Sequence, residues 1–144
     1  MSDNPQAIIS ILDGITSVED EAELATLDDA VSSLLASKHP QLGIGALLRI
    51  FERFPEEDGH GIFWSVLHGL ESLPDYERAL VESVRRQPSE FGLLMINRIL
   101  NDGRSQVGSV DLLVLLEEVA RDPRIQGSIR ADAQEYIEWQ QSRA

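Results

Sequence analysis

A chain of 144 residues, 42% apolar and 26% charged, is long enough to bury a core and has the composition of a single globular domain. It contains no cysteine, which excludes disulfides, thiol nucleophiles and cysteine-held zinc. A net charge of −13 opposes binding to nucleic acid or to an anionic membrane and favours a basic partner.

The charge is uneven. Residues 1–37 hold eight acids and no Lys or Arg; the rest holds 17 acids against 12 bases. That segment reads either as solvated helix faces or as an electrostatic lure for a cationic partner. No apolar run approaches the roughly 20 residues that span a bilayer. MSDNPQ lacks the basic and apolar regions of a signal peptide. The expectation is a cytoplasmic protein, monomeric in isolation, with no membrane or nucleic-acid partner.

Strand signals are nearly absent and helical periodicity runs through the chain. The first helix is predicted over Pro5–Ile15, with Asn4 as N-cap and Pro5 at the first helical position. The second runs from the Glu19 region to Ser37, with Thr26 a candidate internal break, and His39-Pro40 ends it. His39 reads as a helix-end residue. The third spans Gln41–Phe54, the fourth His60–Ser72 and the fifth Asp75–Gln87. Ser89 caps a sixth reaching Leu100, Ser109 caps a seventh reaching Arg121, and the eighth covers Ser128–Gln140. Short connections make neighbouring helices antiparallel.

Three of these helices end at Pro55, Pro88 and Pro123, spaced by 33 and 35 residues. Eight residues before each proline stand Leu47, Leu80 and Leu115; four before, Phe51, Val84 and Val119; two before, Arg53, Arg86 and Arg121. After the proline, Ile62, Phe63, Val66 and Leu67 match Met95, Ile96, Ile99 and Leu100, and the third unit drifts out of register. The recurring Arg suits the negative end of a helix dipole. The period predicts an all-α fold, either a HEAT-like α-solenoid or a helical bundle of about eight antiparallel helices. The single domain, residues 1–144, would comprise acidic capping helices in residues 1–37 and three helix-hairpin repeats in residues 41–141.

The fourth helix carries the most pointed surface signal. Ile62, Phe63, Val66, Leu67 and Leu70 form its core side, and His60, Trp64, His68 and Glu71 follow at spacings of four, four and three on the other. An exposed Trp is costly in water and favoured as a binding anchor; the alternative is that Trp64 packs on the next helix. In the repeat register Asn97 aligns with Trp64, Asn101 with His68 and Arg104 with Glu71, which predicts a ladder on one face. Glu56, Glu57 and Asp58 form an acidic loop ahead of this helix, suited to Lys or Arg on a partner and equally to a helix N-terminus. In the last helix, one of Tyr136 and Trp139 is expected to cover the core and the other to lie near the partner side.

Chemistry finds little support. His60 and His68 are two helical turns apart, roughly 12 Å along the axis, too far to share an ion held by bonds of about 2 Å. His68 with Glu71 reads as a hydrogen bond or weak ion pair. Gly43-Ile44-Gly45 is too short for a phosphate loop and follows no strand, and no serine stands in a nucleophile elbow. Neither a metal, a cofactor nor an enzymatic activity is expected.

FWSVLHGLES at Phe63–Ser72, ESVRRQP at Glu82–Pro88 and NRILNDG at Asn97–Gly103 resemble the all-helical immunity proteins of bacterial polymorphic-toxin and contact-dependent growth inhibition systems. The resemblance covers about residues 42–104. It implies a cytoplasmic protein that binds the C-terminal toxin domain of a cognate effector, often a nuclease with a basic surface, and blocks its active site or a nearby surface. Carried onto this chain, it favours Trp64, His68 and Glu71, then Asn97, Arg98 and Asn101, as partner-contacting residues. If the contacting surface is a variable one, the acidic N-terminal helices are favoured instead. A helical-repeat scaffold with an unrelated protein client would use the same surface.

Overall fold

The computed structural model describes residues 4–143. Met1–Asp3, the start of the acidic segment, lie outside the described residues. The fold is all-α, with eight helices among the described residues: α1 (Pro5–Asp13), α2 (Glu21–Ala36), α3 (Ile44–Arg53), α4 (Ile62–Glu71), α5 (Tyr76–Arg86), α6 (Glu90–Asn101), α7 (Leu112–Arg121) and α8 (Gly127–Ser142). Single 3₁₀ turns, Pro40–Gly43 and Gly59–Gly61, lead into α3 and α4.

The helices form two rows. In one, α1 packs on α3 and α3 on α5; in the other, α2 packs on α4, α4 on α6 and α6 on α8. Consecutive helices join the rows, α1 to α2, α3 to α4, α5 to α6 and α7 to α8. No unit covers its own apolar face, so burial comes from its neighbours. At the centre Phe51, Phe63 and Phe91, one each from α3, α4 and α6, meet with ring centroids 5.4–5.6 Å apart. Each fully buried Phe contributes about 1.5–3 kcal/mol of transfer free energy. The turn into α3 lies so close to α2 that a Cβ at Gly43 would stand 2.4 Å from a Leu34 methyl, and any larger residue there would have to displace the Leu34 side chain.

The Arg before each proline does more than face a dipole. Arg53 donates to the Leu12 carbonyl at the end of α1, 2.7 Å, and lies 3.8 Å from Asp13. Arg86 donates through Nη2 to Glu52 of α3, 2.9 Å, beside Ser83 Oγ at 2.6 Å. Each thus ties its unit to the one before. The ladder stops at Arg121, which makes no ion pair among the described residues, because the position matching Glu52 is held by Arg85.

Two local expectations change. Thr26 does not break α2; its hydroxyl donates to the Ala22 carbonyl one turn back, 2.9 Å, and stays satisfied within the helix. Ser109 does not cap α7. Asp111 does, accepting from the Val114 N–H at 3.1 Å. Ser109 belongs instead to a two-residue turn, Gly108-Ser109, joining the short strands β1 (Gln106–Val107) and β2 (Val110–Asp111). Gly108, at φ +60°, supplies the left-handed conformation that such a hairpin needs. The hairpin bridges α5 and α7. No helix among the described residues is long and apolar enough to cross a membrane.

Candidate protein-binding face

The loop after α3 sets the direction of α4. Pro55 ends α3 and its carbonyl accepts from the Glu90 N–H at the start of α6, 2.7 Å. The Asp58 carboxylate accepts from the His60 N–H at 3.0 Å. Gly59, His60 and Gly61 then take φ of +57°, +52° and +93°, three left-handed residues in succession. A Cβ at Gly59 would come within 2.6 Å of the Phe63 ring. His60 carries the strain of a side chain in this region, of order 1–2 kcal/mol.

This turn delivers Trp64 to the surface. The indole is 44% exposed and stands edge-on to Phe91, centroids 5.3 Å apart at 78°. Phe91 in turn rests on Phe51 and Phe63. Trp64 therefore keeps a large open surface on a rigid aromatic base, so covering it loses little side-chain freedom. The His68 ring lies beside it, centroids 6.1 Å apart.

The other residues of the stripe are deployed differently. His60 precedes α4, and its Nε2 lies 3.2 Å from Glu19 of the α1–α2 connection. Glu71 is bound by two hydrogen bonds to Arg98 of α6, 2.7 and 2.9 Å, and His68 Nδ1 is 4.0 Å from it. Asn97 does not share a ladder with Trp64. It is buried against α8, where its oxygen accepts from Gln140 Nε2 at 2.7 Å. Asn101 is exposed and accepts from Gln140 at 2.8 Å and Arg143 at 3.0 Å. Arg104 pairs with Glu77, 2.9 Å. Of the acidic loop, Glu56 accepts from Ser128 of α8, Asp58 is the turn cap, and Glu57 is exposed and makes no ion pair among the described residues.

Packing of α6 on α8 assembles a group that sequence reading missed. Burial raises the Glu90 carboxyl above the ordinary range, and Asp132, Glu56 and Asp58 raise it further. Burial and then Glu135 do the same to Asp132. Tyr136 is raised by burial, then by Asp132, Glu135 and Glu90. No Lys or Arg pairs with Glu90, Asp132 or Glu135 among the described residues. Glu90 looks like an ordinary first-turn acid, and Asp132 is 42 positions away, so only tertiary contact reveals the group. Tyr136 packs on the core while Trp139 is 51% exposed.

The face is therefore aromatic at Trp64 and acidic where α6 and α8 begin. The N-terminal acids offer a second anionic surface, with Glu21, Asp28 and Asp29 exposed on α2. Among the described residues no three His, Asp or Glu side chains are placed to hold a metal. The chain matches no protein-family model, no curated protein and no solved structure.

Proposed function

We propose that this chain is a stoichiometric inhibitor of a toxin domain, acting as the immunity proteins it resembles act. It would work in the cytoplasm by covering the active site or substrate surface of a basic partner, with no chemistry of its own. The observation that carries this reading is Trp64, half open to solvent on the Phe91 base, with Glu90 next to that base in sequence and paired with no Lys or Arg among the described residues. An aromatic anchor with acidic surroundings suits a surface built to hold nucleic acid, because such a surface is rich in Lys and Arg.

The test is co-purification with the C-terminal domain of any large secreted protein encoded beside this chain's gene, followed by a nuclease assay. The reading expects a one-to-one complex and loss of toxin activity. Trp64→Ala should weaken the complex by about 2 kcal/mol, roughly 30-fold. The association rate should fall steeply as salt rises. A purified pair that forms no complex would overturn the reading.

A further inference from the structure

Both tryptophans of the chain are about half exposed, Trp64 on α4 and Trp139 on α8, and these helices flank α6. Trp64 leans on α6 through Phe91. Trp139 lies beneath the Arg143 guanidinium, 5.1 Å from its ring centroid, and Arg143 Nη1 donates to Asn101 of α6 at 3.0 Å. Between the two indoles α6 leaves only a narrow strip uncovered, with Glu90, Leu94, Arg98 and Asn101 along it. Arg98 and Asn101 are engaged internally, whereas Glu90 opens α6 on the Pro55 carbonyl, next to Glu56, which accepts from Ser128 at the start of α8, and pairs with no Lys or Arg among the described residues.

We propose that α4, α6 and α8 form one continuous docking face for a cationic protein segment, with Trp64 and Trp139 as anchors on either side and Glu90 and Asp132 as acceptors for its Lys or Arg. This rests on the reading above and selects this face over the acidic helix α2. The occupant follows from charge. Carboxylates brought together at a helix–helix seam repel one another and gain from an incoming ammonium or guanidinium. A cation held between an indole and a carboxylate gains from both. With neighbouring helix axes about 8–10 Å apart, and Trp139 level with Asn97–Asn101 rather than Phe91 and so about 10 Å further along the α6 axis, the anchors stand about 19–22 Å apart. An extended segment of about six residues covers that span.

Two probes test the face. One is the purified toxin domain named above; the other is a synthetic twelve-residue peptide of alternating arginine and leucine. Trp64→Phe and Trp139→Phe each leave a single indole to report by fluorescence. With the peptide, both indoles should respond with the same half-saturation. Combining Glu90→Gln with Asp132→Asn should raise that concentration at least tenfold, while Asp28→Asn with Asp29→Asn leaves it within twofold. A response from one indole only, from neither, or equal sensitivity to the α2 pair overturns the face. With the toxin domain, Trp139→Ala should weaken binding at least tenfold. Wild-type binding that Trp139→Ala leaves within twofold also overturns the face while the inhibitor reading stands. If the wild type does not bind the toxin domain, the inhibitor reading falls and the peptide result alone decides the face.

Discussion

Arg98 of α6 closes two hydrogen bonds on the Glu71 carboxylate of α4, Nε to Oε2 at 2.7 Å and Nη2 to Oε1 at 2.9 Å. The hydrogen bonds also hold the Arg98 guanidinium further toward its charged form than usual. The acid that shares a helical stripe with Trp64 is thus part of the seam between two helices, and a binding partner would have to break that seam to use it.

Removing this pair should therefore appear in stability before binding. Glu71→Gln is expected to cost about 1 kcal/mol, the value of a partly exposed two-point pair. For a chain of this size that lowers the melting temperature by roughly 2–4 °C. A thermal melt checks it, and the double variant with Arg98→Ala should add little to the single loss.

The turn before α4 should be far less forgiving. Gly59→Ala places a methyl against the Phe63 ring and a side chain at φ +57°. The two penalties together come to about 2–5 kcal/mol. Gly61→Ala is equally left-handed but meets open space, so it should cost only about 1–2 kcal/mol. Urea unfolding of the two variants measures the difference.

Acid should stabilise this protein over a defined range. The folded-state pKa values of Glu90 and Asp132 lie above the ordinary ones, chiefly through burial and then through neighbouring carboxylates. The folded form thus takes up protons first as pH falls from neutrality toward the ordinary carboxylate value of about 4, and stability rises over that interval. Asp122 acts in the opposite sense. Hydrogen bonds from Arg124 lower its pKa, so its contribution is lost as pH falls through its folded value. Melting temperatures from pH 7.5 to 4.5 should climb for the wild type and climb less for Glu90→Gln.

Phe91, itself buried, should control the mobility of Trp64. Phe91→Leu removes the edge-on partner and the contacts to Phe51 and Phe63, each aromatic pair being worth about 0.5–1.5 kcal/mol. In a Trp139→Phe background, acrylamide quenching of the remaining indole should increase when Phe91 becomes Leu. Equal quenching would show that the base does not hold the ring.

Much of the scaffold was legible because its signals are local. Asn4 and Ser89 cap their helices where side-chain chemistry places them, and Leu47, Leu80 and Leu115 recur on the buried side of α3, α5 and α7. The candidate face was less legible. The stripe rule lines up His60 with Trp64, yet three left-handed residues put His60 in the turn before α4. Repeat alignment pairs Asn97 with Trp64, but the flanking helix differs: α4 lies against α6 whereas Asn97 on α6 faces α8.

The sequence by itself determined the all-α class, the helix order, the apolar side of each helix and the acidic excess, since these depend on a residue's near neighbours and on composition. Tertiary packing alone decided which charges are spent and which stay open. Glu71 is tied to Arg98, Glu52 to Arg86, and Glu90 is set against Asp132. Those pairings depend on which helices adjoin and at what height, and a periodicity of 3.6 residues carries no information about either.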